Sequence, residues 1–153
     1  MIRDAFDRQH AAQERLVPMV RVAIILPGIT REASVVDFLV DTGAMITTIH
    51  PRDAIVRLGI DPIRLADPGR WSTSETIRGV GGTAVQFRGP AQYGFVHEDD
   101  RLQVITGDAR IAQLRAETET LPSLLGWDIL RHFQLITDWS SRLVMLREPK
   151  SPV

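Results

Sequence analysis

Among the side chains with chemical potential, the run Asp41-Thr42-Gly43-Ala44 stands out by its surroundings. It follows the apolar stretch Val35-Val36-Asp37-Phe38-Leu39-Val40 and leads into Met45-Ile46-Thr47-Thr48-Ile49. A carboxylate there stands at the mouth of a buried strand, where ionisation is costly unless the site is built for it. Gly43 lets the chain turn sharply or another backbone approach, and Ala44 keeps the space beyond it small. Taken alone, the tripeptide reads more readily as a hairpin turn, since short motifs match by accident. Other chemistries have less to work with. The histidines His10, His50, His97 and His132 show no zinc-binding spacing, and no Gly-x-Ser-x-Gly elbow is present to build a serine nucleophile. Cysteine is absent, which removes disulfides, thiolate metal sites and cysteine nucleophiles. Gly79-Val80-Gly81-Gly82 is not followed by Lys-Ser/Thr and opens no helix, so it does not read as a phosphate loop.

The elements that must position Asp41 follow from periodicity and turn residues. Residues 1–16 are polar with scattered apolar side chains, and read as a frayed arm or a short helix. Val17 to Leu26 and Ser34 to Val40 form strands around Pro27-Gly28, and Met45 to Ile49 continues as a strand. Pro51 and Gly59 frame a short helix, and Asp61 to Gly69 reads as loop. From Thr73 to Phe87 two alternating runs flank Gly79 to Gly82 as a glycine-tipped hairpin, which Gly89-Pro90 should end. Gln92 to Val96 and Leu102 to Thr106 pair across a polar turn. Asp108 to Thr120 reads as a short helix or a surface loop. Trp127 to Phe133 has helical spacing, and Gln134 to Thr137 and Leu143 to Leu146 close the chain as a hairpin.

At 153 residues the chain suits a single domain, divided as an arm (1–16), a body (17–148) and a tail (149–153). A net charge of -1 gives no general attraction to nucleic acid or anionic lipid, and the arginines show no aromatic interleaving. The first residues lack a signal-peptide core, and no apolar run reaches the ~18 residues of a membrane span. The expectation is a cytoplasmic protein with no membrane and no nucleic-acid partner.

Three features stand in a fixed order: the strand ending in Asp41-Thr42-Gly43-Ala44, the hairpin Ile77-Arg78-Gly79-Val80-Gly81-Gly82, and Leu124-Leu125-Gly126-Trp127-Asp128-Ile129-Leu130. Together they resemble the retropepsin-like aspartic proteases, the retroviral type and its single-domain bacterial relatives, over roughly residues 18–147. The resemblance implies a mostly β fold, a closed or partly open barrel of the acid-protease type with one or two short helices. It makes Asp41 the catalytic residue, supported by Thr42 and Gly43. Ala44, Ile77, Gly79, Val80, Gly81 and Gly82 become substrate-binding residues of the loop and flap, with Leu124, Leu125 and Gly126 supporting the site from beneath. Two departures from the family pattern stand out. Trp127 is bulkier than expected beside that glycine, and 108–120 is longer and more polar than the family core requires.

Peptide hydrolysis in this class takes two carboxylates sharing one proton around a water. This chain holds a single Asp-Thr-Gly. Asp138, the other acid after an apolar run, lies at an evident turn, and Asp128 reads as a cap or orienting group for the following helix. The resemblance therefore implies a homodimer whose second copy supplies the second Asp41, an extended peptide or protein substrate, and neither metal nor organic cofactor. The alternative is a module on the same fold that binds peptides or proteins without cutting them.

Overall fold

The computed structural model describes residues 1–8, 16–71, 73–79 and 82–149. It is mostly β, with 48% strand against 14% helix. Among the described residues the strands are β1 (Ile2–Arg8), β2 (Leu16–Ile25), β3 (Ser34–Val40), β4 (Thr48–Ile49) and β5 (Ser74–Gly79), followed by β6 (Gly82–Val96), β7 (Leu102–Ala112), β8 (Ser123–Leu125), β9 (Gln134–Asp138) and β10 (Leu143–Arg147). Three short helices, rather than one or two, connect them: α1 (Pro51–Val56), α2 (Pro62–Ala66) and α3 (Trp127–Leu130), with a 3₁₀ turn at Pro68–Arg70. No helix among the described residues is long and apolar enough to cross a membrane.

Strands β6, β7, β4, β8, β3 and β2 pair in that order, and β2 pairs back onto β6, so six strands close a barrel. Two of these pairings, β3 with β8 and β4 with β7, are parallel. Strand β5 lies outside the ring on β6, while β1, β10 and β9 continue the sheet from β2. The period-two pattern of β2 and β3 sends Val20, Val22, Ile24, Val36, Phe38 and Val40 into the barrel. There they meet Ile49, Phe87, Tyr93, Phe95, Ile111 and Leu125. Each large apolar side chain taken from water contributes about 1.5–3 kcal/mol. Tyr93 is fully buried and its hydroxyl donates to the Asp108 carbonyl at 2.7 Å, which removes the cost of burying that group. Burial pushes its pKa well above the usual tyrosine value.

Several elements differ from the sequence expectation, each for a local reason. Ile2–Arg8 is a strand, not a frayed arm or helix, because it pairs antiparallel with both β10 and β2. Asp61 to Gly69 is helical rather than loop. Its prolines stand at the first positions of α2 and the 3₁₀ turn, and Asp61 and Asp67 accept from Ile63 and Gly69 N–H. Gly89-Pro90 does not end β6. Over residues 88–91 that strand has a neighbour only in β7, since pairing with β5 stops at Phe87 and pairing with β2 begins at Gln92. A residue without an N–H is tolerated where one side of the ladder is open. The helix considered at Asp108 is also absent, because β7 runs on to Ala112 beside β6 and β4.

Candidate active site

The ladder that joins β3 to β8 carries one bond past the end of β3: the Asp41 N–H donates to the Leu125 carbonyl at 3.1 Å. The chain then turns on the Asp41 side chain. Gly43 N–H donates to Asp41 Oδ1 at 2.9 Å, and Ala44 N–H donates to the Asp41 carbonyl at 3.1 Å. A Cβ on residue 43 would lie 3.2 Å from that Oδ1, so glycine keeps this bond uncrowded. Asp41 is half-buried, while Thr42 and Gly43 are exposed at the tip.

The start of α3 supports this loop from below. Trp127 and Asp128 donate their N–H groups to the carbonyls of Ala44 and Met45 at 3.0 and 3.1 Å. Thr47 donates to Asp128 Oδ1 through its N–H at 2.8 Å and through its hydroxyl at 2.7 Å. The same hydroxyl accepts from Gly126 N–H at 3.0 Å. These bonds explain why Met45 to Ile49 is not a full strand: only Thr48 and Ile49 join a ladder, and the residues before them serve α3 instead. At Gly126 the two segments touch, since a Cβ there would come within 2.6–2.8 Å of the Ile46 backbone. Only glycine fits that contact. Trp127, bulky beside Gly126, is partly exposed and donates its indole N–H to the Thr42 carbonyl at 2.8 Å. It braces the loop from the side.

Asp41, Gly43, Ala44, Ile77, Gly82 and Leu124 line one open cleft of about 880 Å³. The loop and β8 form its floor and the β5–β6 hairpin its other wall. Pairing between β5 and β6 begins at Gly79 with Gly82, whereas β7 joins β6 only from Gln86 onward, so the hairpin end projects past the barrel. Val80 and Gly81, expected at the tip, lie outside the described residues. Leu125 and Gly126 are buried beneath the loop, and Thr42 stands at its exposed edge. Among the described residues lining the cleft, Asp41 is the only acid. The hairpin stem is tied back by charge. Glu75 pairs with Arg88 and with Arg110, and Arg110 Nη1 lies 4.0 Å from Asp128 Oδ2, the carboxylate that also holds Thr47.

The remaining polar candidates have structural roles. Asp138 accepts from the N–H and hydroxyl groups of Ser140 and Ser141 in the β9–β10 turn, and these bonds, with the Ser140 hydroxyl foremost, hold its pKa at about 2. Ser123, His50 and Asp53 meet, yet not as a triad. The fully buried Ser123 hydroxyl accepts from the His50 backbone N–H at 3.1 Å and donates to Asp53 at 2.6 Å, clamping α1 to β8. His97 is buried, with Nε2 2.8 Å from Gln103 Oε1. Among the described residues no group of three or more histidines and acids is placed to hold a metal ion.

No protein-family model and no curated protein matches the chain. Residues outside the sequence-based set also belong to the site. Thr47 and Trp127 hold the loop, and Met45, Ile46, Thr48, Ala84, Gln86 and Leu121 line the cleft. A polar Gln86 between Val85 and Phe87 carried the alternation that marks a second strand face. The bonds of Thr47 and Trp127 span 81 and 85 positions and leave no local pattern.

Proposed function

We propose that the chain is an aspartic endopeptidase of the retropepsin-like type, active in the cytoplasm as a homodimer. One observation carries this reading: Asp41 is the only acid among the described residues of a cleft walled by the projecting β5–β6 hairpin, on a loop whose tip is exposed. Hydrolysis by this route needs two carboxylates, so the second comes from Asp41 of another copy approaching the exposed Thr42-Gly43 edge. Two like charges at that distance cannot both persist, and the pair holds one shared proton, as aspartic proteases are known to do. The ionised member takes a proton from the attacking water while the protonated member donates to the scissile carbonyl oxygen. The gem-diol formed between them then collapses, with a proton passed to the leaving amine. Such a pair titrates as a unit.

The brace beneath the loop serves this chemistry by fixing where the carboxylate stands. Bonds from Leu125, Trp127 and Asp128 leave the main chain of residues 41–47 little freedom, so little reorganisation is needed as charge moves. The peptide lies extended between loop and hairpin, offering its backbone to both. The test is incubation of wild type and Asp41→Asn with a diverse peptide mixture from pH 4 to 8, read by mass spectrometry. Cleavage by the wild type alone is the expected result. Equal cleavage by both overturns the role of Asp41, and no cleavage by a wild type shown to be dimeric favours a peptide-binding module without hydrolysis.

A further inference from the structure

Among the described residues, the cleft contains one buried polar group without a hydrogen-bond partner. Gln86 sits on β6 between its register neighbours Glu75 of β5 and Ala112 of β7, and its side chain lines the cleft. It is 8% exposed, and no hydrogen bond from the described residues reaches its Oε1. Buried amide oxygens are almost always paired, so an orphan in a ligand cleft marks a place where something else completes the bond. The same cleft is lined by Thr48, Ile77, Ala84 and Leu124, three apolar side chains and a hydroxyl. The charged residues among the described lining of the cleft are Arg78, which is exposed, and Asp41, which is half-buried on its loop. Glu75, beside Gln86 in the sheet, is already held by Arg88 and Arg110.

We propose that Gln86 is a specificity determinant that selects a carboxamide side chain, asparagine or glutamine, at one position of the bound peptide. A primary amide offers one acceptor and two donors, and a second primary amide complements it whichever way round either lies. An aliphatic side chain would leave Oε1 unpaired. A carboxylate would place a charge against a neutral acceptor, and an ammonium group would be stripped of water beside a Glu75 that two arginines already neutralise. The inference rests on the cleft being the substrate site proposed above.

The experiment uses a positional-scanning library of short peptides, read in two ways: cleavage by the wild type and binding to Asp41→Asn. At one position glutamine or asparagine should be favoured over methionine, a side chain of similar shape, by about tenfold or more. Gln86→Met should abolish that preference and leave selectivity elsewhere intact, with an unchanged thermal midpoint. Gln86→Glu provides a second variant and should turn the preference toward lysine or arginine. The inference is overturned if no position favours a carboxamide, or if the preference survives both substitutions. If the wild type cuts nothing but Asp41→Asn binds carboxamide peptides through Gln86, the protease reading fails and the pocket stands. Cleavage without carboxamide selectivity removes the pocket and leaves the protease reading in place.

Discussion

Asp128 Oδ1 accepts three hydrogen bonds, two from Thr47 and one from Ile129 N–H, and Thr47 in turn accepts from Gly126. Thr47→Val keeps the shape but leaves the Gly126 N–H and one acceptor site on Asp128 unpaired in a buried place. Unfolding in urea should show a loss of about 1–3 kcal/mol. Trp127→Phe removes one bond at the exposed rim, so stability should change by less than about 1 kcal/mol while kcat falls as Thr42 loosens. Asp138→Asn should leave cleavage unchanged, because Ser140 and Ser141 already saturate that carboxylate in a turn away from the cleft. His50 gives a pH signature. Burial lowers its pKa below 6.5 against the opposing pull of Asp53, so the folded state binds fewer protons than the unfolded one. Its contribution is present above pH 6.5 and is lost as pH falls below that value toward the folded pKa. Replacing it by glutamine should flatten the dependence of unfolding free energy on pH between 7 and 5, as denaturant titrations would reveal. Asp41 was legible at this scale because its tripeptide ends an apolar run. Trp127 was visible only as an oddity, since its acceptor is a backbone carbonyl far away in sequence.

The elements meet most tightly where β8 passes into α3. The backbone of Ile46 occupies the space that a side chain on Gly126 would need. Gly126→Ala must push α3 away from the Asp41 loop, which should cost about 1–3 kcal/mol. It should also reduce activity in the fraction that still folds, because the Trp127 and Asp128 bonds to Ala44 and Met45 lengthen together. Thermal melting and turnover measured on one preparation would separate the two effects. Strands with a single buried face, such as β2 and β3, were readable from alternation alone. Where one residue type serves two purposes, the reading failed. Pro62 and Pro68 start helical turns although proline usually marks loops, and Pro90 sits inside β6 because that stretch has one open side. Met45 to Thr47 look like a strand yet spend their hydrogen bonds on α3.

At the scale of the whole molecule, barrel closure depends on pairings between distant segments: β3 with β8 joins Phe38 to Ser123, and β4 with β7 joins Thr48 to Arg110. No local pattern announces such partners, so the mostly β character was legible and the strand order was not. Assembly was expected from the single Asp-Thr-Gly, and on the proposed reading the one acid among the described residues of the cleft is half of a two-carboxylate site. The most direct measurement mixes wild-type chains with a growing excess of Asp41→Asn chains, with mass spectrometry verifying that mixed dimers form. Activity per wild-type chain should fall in proportion to the chance that its partner also carries Asp41. Activity that stays constant as the inactive chain is added would show that one Asp41 suffices, and would contradict the shared site.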